Sequence, residues 1–447
     1  MDTLKAWRCR PHKCILMKGQ RQVGKTFIIR RFAESEYEDH LEIDFSKDVK
    51  IRKVFENGLN VDEIVDNLSL YYGKRIVPGK TLLFFDEIQE CVAAWSSLKH
   101  FTIDGRYDVI ASGSLLGVSL PNNKKDPVEP LVPTGYQEEI TMYALDFEEF
   151  LWANGIDTDL IGRLRQRIRN RDGLGDILVE RLDDLFRRFM IVGGMPESVQ
   201  RYVDTGSLSE SSKVLDDILS ICHKDIVRYT KGVDQAKTIE CFESIPVNLS
   251  ESNKRFMYSR IEGAGSRNSA EKYMGNILWI KDAGIANVCF SLSQPALPLR
   301  SNEVRDVFRL YMSDTGLLLR MYGYGAANAV LTGDTAFNMG AAAENVVSES
   351  LVKSGFIPYY YRKNSGTDKM ELDFVIETMA GLTVIEVKSG KKRDAPSLKK
   401  ASKFHKVDSR VIFDGSDLSI DDDGIIHAPL FVSAFMDDLL GLPRILE

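Results

Sequence analysis

The sequence lacks the features that would place the protein in a membrane or outside the cell. Its 447 residues contain no apolar run close to the ~20 residues that a membrane-spanning helix requires. The opening stretch, MDTLKAWRCR, has none of the apolar segment of a signal peptide. The six cysteines are scattered without the spacing of metal ligands. These absences predict a cytoplasmic protein with reduced thiols and no membrane partner.

Histidine is scarce, and one segment of the chain has a strong excess of positive charge. The six histidines show no spacing typical of a catalytic triad or a metal site. Hydrophobic residues make up 44% and charged residues 28% of the chain, which is ordinary for a globular protein long enough for about three domains. The net charge of −7 argues against a uniformly basic surface. From Lys388 to Lys406, however, eight Lys or Arg residues stand with a single acid.

The most informative motif present is a complete phosphate loop of the form G-x-x-x-x-G-K-[ST]. An apolar run at 14–17 precedes it and a helix-compatible stretch at 27–32 follows, as a strand, loop and helix would. Glycines permit the tight path that directs backbone N–H groups at phosphate oxygens. The predicted nucleotide-binding residues are Gly19, Gln20, Arg21, Gln22, Val23, Gly24, Lys25 and Thr26. We expect Lys25 to contact the terminal phosphates of ATP, and Thr26 to bind Mg²⁺.

A second apolar run ends in two carboxylates. Residues 81–90 read TLLFFDEIQE, which is typical of a strand buried on both faces of a parallel sheet. Ligands of such sheets bind at the carboxyl ends of the strands. We therefore predict that Asp86 holds Mg²⁺ and that Glu87 activates the water that attacks the γ-phosphate. Ser112 and Ser114 follow the next strand and are candidate sensors of that phosphate, although Ser-Gly-Ser is equally typical of a turn.

The chain divides by pattern into four predicted domains. Strand candidates at 14–18, 41–45, 81–85, 107–111 and 138–142 alternate with helical stretches and predict a parallel-sheet domain over 1–146. Residues 147–236 have a helical pattern. Residues 237–322 show helix, strand, loop and strand, as a winged-helix-like module would. Residues 323–447 return to an α/β pattern.

A second set of carboxylates lies in this last region. Glu386 and Lys388 are two apart in a predicted strand, so they share a face, and a hairpin brings Asp373 beside them. Glu344 falls on the apolar stripe of a predicted helix, where an acid is costly unless it is paired or binds metal. Two carboxylates can hold Mg²⁺, and a lysine can orient the water that the metal activates. The alternative is a solvated Glu–Lys pair on edge strands.

These motifs resemble two known families. The phosphate loop, FFDEIQ, ASGS, LDFEEF, GGMP, HKDIVRY and LYMSDTGLLL together resemble prokaryotic AAA+-type ATPases that carry a C-terminal domain of unknown function. The pattern D-x12-E-x-K resembles the PD-(D/E)xK nuclease core, in which a helix supplies a further glutamate. The resemblances imply a multidomain α/β protein: an AAA+/ASCE-like P-loop ATPase domain, a helical lid, a winged-helix-like module and a PD-(D/E)xK-like domain. They imply metal ligands at Glu344, Asp373 and Glu386, and catalysis by Asp373, Glu386 and Lys388.

The basic segment favours a phosphate-rich partner, DNA in the first place, although charge runs are usually solvated helix faces. Its candidate contacts are Lys391, Lys392, Arg393, Lys399, Lys400 and Lys403. The leading interpretation is an ATPase whose nucleotide state controls a Mg²⁺-dependent, nuclease-like, DNA-binding domain. A homo-oligomer is compatible with this interpretation. Two alternatives stay open. The C-terminal fold can bind nucleic acid or protein without cleaving it, or the chain can remodel proteins as a motor.

Overall fold

A computed structural model describes residues 1–56, 58–114, 135–230, 232–257, 269–334, 338–388, 390 and 395–443. These residues form two compact units, Met1–Tyr143 and Ala144–Glu447. No helix in the described ranges is both long enough and apolar enough to cross a membrane.

The first unit is built on a five-stranded sheet flanked by helices. Its strands are β1 (Cys14–Lys18), β2 (Asp39–Asp44), β3 (Thr81–Asp86), β4 (Val109–Gly113) and β5 (Gln137–Thr141). Its helices are α1 (Asp2–Arg8), α2 (Lys25–Glu36), α3 (Arg52–Glu56), α4 (Val61–Tyr72) and α5 (Val92–Asp104), with a 3₁₀ turn at Ile88–Glu90. The strand order is β2-β3-β4-β1-β5, and every pairing is parallel.

The apolar runs in the sequence explain this sheet. Every residue of β3 is buried, because helices cover both faces of a parallel sheet. Aromatic side chains such as Phe85 and Phe101 belong to a hydrophobic core of this unit. The predicted five strands and their parallel arrangement are confirmed, with ends that differ by only a few residues. The carboxyl ends of β1, β3 and β4 therefore meet at one edge of the sheet, which is where the predicted motifs end.

The second unit begins with helices and continues into a larger sheet. Its helices are α6 (Phe147–Ala153), α7 (Thr158–Asn170), α8 (Asp176–Val192), α9 (Pro196–Thr205), α10 (Leu208–Tyr229), α11 (Val233–Glu243), α12 (Ile245–Ser250), α13 (Ser269–Asp282), α14 (Thr315–Met321), α15 (Gly325–Thr332), α16 (Met339–Lys353), α17 (Pro396–Phe404) and α18 (Met436–Leu440), with 3₁₀ turns at Leu299–Asn302 and Leu430–Phe435. A capping box of Asp146 and Glu149 starts α6.

The sheet of the second unit has eight strands and is mixed. They are β6 (Ala286–Leu292), β7 (Glu303–Met312), β8 (Tyr359–Lys363), β9 (Met370–Thr378), β10 (Gly381–Val387), β11 (Ser409–Asp414), β12 (Ser419–Ile420) and β13 (Ile426–Pro429). Their order is β12-β13-β11-β10-β9-β8-β6-β7. Strands β9 and β10 form the expected antiparallel hairpin. Helix α16 contacts β6, β7 and β10, and all its side chains from Ala341 to Leu351 are buried.

The placement of β6 and β7 corrects one detail of the sequence analysis. Both strands were assigned to a winged-helix-like module at 237–322, separate from the C-terminal region. In the structure β6 pairs with β7 on one side and with β8 in parallel on the other, so the hairpin completes the C-terminal sheet. Strand pairing depends on contacts far apart in sequence, which a local helix-strand-strand pattern does not specify. The four domain boundaries themselves stay predictions.

Candidate functional site

The phosphate loop connects β1 to α2 through three left-handed residues. Gly19 has φ 150°, Gln22 φ 68° and Gly24 φ 95°. At Gly19 a side chain is excluded by the positive φ and also by the lack of space, because its Cβ would lie 2.1 Å from the carbonyl oxygen of Met142. Gly24 is the N-cap of α2, so the positive end of this helix begins at the loop. The backbone therefore has the geometry that a phosphate-binding helix N-terminus requires.

Lys25 is the first residue of α2 and is 8% exposed. Its ammonium donates hydrogen bonds to the carbonyl oxygens of Gly19, at 2.8 Å, and Gln20, at 2.9 Å. The side chain thus turns back over the loop that it belongs to. Burial lowers the pKa of Lys25 to about 8, against the opposing effect of the carboxylates of Glu87 and Asp86.

Thr26 and Asp86 form the part of the site suited to a metal ion. The Thr26 hydroxyl donates to Asp86 Oδ2 at 3.1 Å, and the Ser112 hydroxyl donates to Asp86 Oδ1. Burial raises the pKa of Asp86, while the hydrogen bond from Ser112 opposes the shift. A hydroxyl and a carboxylate side by side are oxygen ligands of the kind that Mg²⁺ prefers. The residues present fit Mg²⁺, which Thr26 and Asp86 would hold.

Glu87 follows the end of β3 in a left-handed conformation, with φ 52° and ψ 47°. Such a conformation is uncommon for a residue with a side chain and is found at functional sites. The amide nitrogen of Gln89 donates to Glu87 Oε2, and the Ser114 hydroxyl lies 3.5 Å from the same oxygen. Gln89 was missed by the sequence analysis, although its place two residues after Glu87 in DEIQE could have indicated it. We assign Gln89 a role in orienting the Glu87 carboxylate.

The other predicted loop residues differ in exposure. Val23 is buried, Gln20 is 6% exposed, Arg21 is partly buried and Gln22 is exposed. Since a phosphate loop binds its ligand through backbone N–H groups, this range of exposures is compatible with the predicted nucleotide contacts.

The lowered pKa of Lys25 leads to a pH prediction. Only the protonated amine can attract phosphate, and the free protein loses this proton as the pH rises through about 8. ATP affinity should therefore fall as the solution becomes alkaline, by about tenfold between neutral pH and one unit above this pKa. Titration of a fluorescent ATP analogue across that range measures the effect. An affinity that stays constant to a pH two units above the pKa would contradict the prediction.

The C-terminal carboxylates come from three elements of the second unit. Glu344 lies in α16, Asp373 in β9 and Glu386 in β10, with Lys388 just beyond the end of β10. Asp373 Oδ2 accepts a hydrogen bond from the backbone N–H of Val387 at 3.0 Å, and Lys388 forms an ion pair with Glu386. The hairpin thus brings Asp373 beside the strand that carries Glu386 and Lys388, as expected.

An arginine that the sequence analysis missed lies among these carboxylates. Arg309 of β7 is 1% exposed, and its Nη1 atom is 3.4 Å from Glu344 Oε2 and 3.8 Å from Asp373 Oδ1. Its Nη2 atom forms a third ion pair, with Glu371. Its guanidinium lies 4.3 Å from the ring centroid of Tyr360, in a cation–π contact. The sequence around Arg309 gives no local signal of this role, because its partners lie far along the chain.

Two further groups bind Glu344. The hydroxyl of Tyr311 donates to Glu344 Oε2 at 3.0 Å, and Lys254 forms an ion pair with Oε1. Burial and the charge of Glu344 raise the pKa of Asp373 to about 7, while the guanidinium of Arg309 opposes this shift. Among the described residues, no group of three or more His, Cys, Asp or Glu side chains is arranged to hold a metal ion. Arg309 and Lys254 pair with the two oxygens of Glu344, and Arg309 also contacts Asp373, so the donor set at this second site does not fit the metal that the nuclease resemblance implies.

The predicted basic surface is described only in part. Lys391, Lys392 and Arg393 lie outside the described residues. Lys399, Lys400 and Lys403 lie on α17. Lys399 pairs with Asp423 at 2.7 Å, and the amine of Lys400 donates to the carbonyl oxygen of Lys369 at 3.2 Å. Their role in binding nucleic acid stays a prediction.

Family models match three separate parts of the chain. Residues 11–151 match the AAA domain, residues 183–328 match a domain of unknown function, DUF8612, and residues 339–431 match a second such domain, DUF4143. Among solved structures, the Walker-type ATPase PABY2304 of Pyrococcus abyssi is 12% identical. That match covers 72% of this chain and 94% of the other, with a TM-score of 0.42. No curated protein matches the chain.

The match of residues 11–151 shows that this part of the chain is a P-loop ATPase domain of the AAA type. It confirms the predicted ATPase fold, and it covers the phosphate loop, Asp86 and Glu87. The two other matched regions have no assigned activity, so the nuclease-like character of the C-terminal region stays a prediction.

Proposed function

We propose that the chain hydrolyses ATP with Mg²⁺ at the edge of the five-stranded sheet and that its nucleotide state controls the C-terminal region. The proposal of ATP hydrolysis is supported by the arrangement at the ends of β1 and β3. Lys25 and Thr26 of the loop lie there together with Asp86 and Glu87. Thr26 and Asp86 are in direct contact, and the Asp86 and Glu87 carboxylates act electrostatically on Lys25.

Each residue has a definite part in this reaction. Backbone N–H groups of the loop and the ammonium of Lys25 bind the phosphates and balance their charge. Bound Mg²⁺ would neutralise further charge on the phosphate oxygens. Glu87 orients a water molecule and accepts its proton as the water oxygen bonds to the γ-phosphorus. The bond from that phosphorus to the bridging oxygen breaks, and ADP leaves with the electron pair. Ser112 supports the Asp86 carboxylate, and Gln89 supports Glu87.

The direct test is ATP turnover by the full chain, measured alone and with single-stranded DNA, double-stranded DNA, RNA or an unfolded polypeptide. Turnover that requires Mg²⁺ and rises with nucleic acid supports a nucleic-acid partner. Stimulation by polypeptide alone supports a protein-remodelling motor. A chain that binds no ATP under any of these conditions contradicts the proposed function.

For the C-terminal region we propose binding without cleavage, with DNA as the favoured partner. The specific observation is that Glu344 and Asp373, the two acids expected to hold Mg²⁺, are engaged by Arg309. Catalysis of phosphodiester cleavage by this constellation requires a metal ion between the carboxylates and the substrate. An arginine in ion pairs with these carboxylates favours the binding alternative over the nuclease alternative.

Cleavage assays distinguish these alternatives. Labelled DNA incubated with the full chain, ATP and Mg²⁺ or Mn²⁺ should stay intact, and Asp373→Asn should leave basal ATP turnover near that of the wild type. Cleavage that is present in the wild type and lost in Asp373→Asn would establish a nuclease instead. Cleavage that survives this substitution would indicate another site or a contaminating enzyme.

A further inference from the structure

Three carboxylates of the C-terminal cluster, Glu344, Asp373 and Glu371, are paired with cations of the chain itself. Arg309 contacts Glu344, Asp373 and Glu371. Glu344 also pairs with Lys254, and Glu371 pairs with Arg362 at 3.6 Å.

Three acids are thus matched by three bases. Glu344 is 3% exposed, so an uncompensated charge there would be costly. Since these contacts supply the compensation, the cluster requires no divalent ion for its electrostatic stability.

The guanidinium is held from several directions. Arg309 is on β7, Glu344 on α16, and Asp373 and Glu371 on β9. The ring of Tyr360 on β8 lies against the guanidinium at 4.3 Å, while the hydroxyl of Tyr311 fixes Glu344 at 3.0 Å. Four elements therefore build this arrangement, and a side chain so enclosed cannot leave without disturbing the helix and the sheet.

Taken with the proposed function, on which this step rests, we infer that the Arg309 guanidinium takes the place of the metal ion in the C-terminal site. Glu344 and Asp373 then anchor Arg309 and join α16 to the sheet. The consequence for a nucleic-acid ligand follows from the same chemistry. Without a metal ion to activate water, the site cannot cleave a phosphodiester bond, so any nucleic acid bound there stays intact.

Mn²⁺ binding to the full chain without nucleotide tests the inference, because the electron paramagnetic resonance signal of free Mn²⁺ reports the number of sites. Wild type and Asp373→Asn should bind the same number of Mn²⁺ ions. Arg309→Met removes the cation and keeps an apolar side chain of similar length, so it should bind one Mn²⁺ more than the wild type. Arg309→Met combined with Asp373→Asn should lose this additional ion.

The matched control is Arg305→Met. Arg305 is on the same strand, but its side chain is 73% exposed and pairs with Glu303 at 3.0 Å. This variant should bind Mn²⁺ as the wild type does. A Mn²⁺ site in the wild type that Asp373→Asn removes would overturn the inference. So would a folded Arg309→Met variant, checked by circular dichroism, that gains no site.

If Arg309→Met does not fold, the comparison of wild type with Asp373→Asn decides alone. The result also separates this inference from the proposed function. Mn²⁺ bound at Asp373 without any DNA cleavage overturns only the role of Arg309. A wild-type chain without ATP turnover, or DNA cleavage that depends on Asp373, would instead contradict the proposed function.

Discussion

Lys25→Ala is expected to abolish tight ATP binding, whereas Glu87→Gln is expected to bind ATP and lose turnover. The ammonium of Lys25 is the only side-chain cation that the motif directs to the terminal phosphates. Glu87→Gln removes the group that accepts the proton of the water and leaves the contact between Thr26 and Asp86 in place. We expect a fall in kcat of about 10²–10⁴-fold for Glu87→Gln, the usual contribution of a general base. Equilibrium nucleotide binding and single-turnover hydrolysis separate the two effects.

Lys18→Ala is the matched control for the first substitution. Lys18 ends β1, just before the loop, and its side chain is 43% exposed and pairs with Glu139 at 2.7 Å. It should bind and hydrolyse ATP as the wild type does. Equal turnover by wild type and Glu87→Gln would eliminate the proposed role of Glu87. In that case the left-handed backbone at Glu87 would need an explanation other than catalysis.

The ATPase site was predictable because its information is local. The loop from Gly19 to Thr26 is one continuous motif. The apolar run of β3 predicts that this strand is buried on both faces. The remaining step, that β1 and β3 end at the same edge, follows from the rules for parallel sheets. The position of Gln89 in DEIQE places it near Glu87, but its hydrogen bond to the Glu87 carboxylate depends on the left-handed backbone of Glu87.

The C-terminal site was predictable only in its acids. Asp373, Glu386 and Lys388 lie in one hairpin, so their proximity follows from strand periodicity. Arg309 reaches Asp373 from β7, which the sequence analysis placed in another module. Because β7 joins the sheet through β6 and β8, the contacts of Arg309 with Glu344 and Asp373 are non-local. The pattern D-x12-E-x-K therefore predicted that Asp373 lies beside Glu386, whose role stays a prediction, while the contact of Arg309 with Asp373 could be found only in the fold.

The GGMP motif acquires a physical meaning in the second unit. Gly193 and Gly194 join α8 to α9, and the backbone N–H of Gly194 donates to Asp314 Oδ2 at 2.6 Å. The carbonyl oxygen of Gly194 accepts from the N–H of Leu145 at 2.7 Å. Lys353 of α16 donates to the carbonyl oxygen of Leu145 at 2.8 Å. Four segments distant in sequence, at 145, 194, 314 and 353, are thus joined by polar contacts, and the GGMP and SDTG motifs are in direct contact.

Gly194→Ala should therefore be among the most destabilising single substitutions in the second unit. A Cβ at this position would lie 1.9 Å from the carbonyl oxygen of Leu145 and 2.9 Å from its carbon. These are backbone atoms held on both sides by hydrogen bonds, so they cannot move aside without breaking them. Overpacking and the loss of a buried hydrogen bond together should lower the free energy of unfolding by about 3 kcal/mol or more.

Gly162→Ala is the matched control for this glycine. Gly162 lies in α7, and a Cβ there meets no other atom within 4 Å. The same change should therefore raise the stability by about 0.5–1 kcal/mol, since alanine favours a helix over glycine. Urea denaturation followed by circular dichroism compares both variants with the wild type. A Gly194→Ala variant as stable as the wild type would show that the backbone around Leu145 can move to accommodate a side chain at position 194. The close packing of Leu145, Gly194 and Lys353 could then not be what joins α6 and α8 to the helix that carries Glu344.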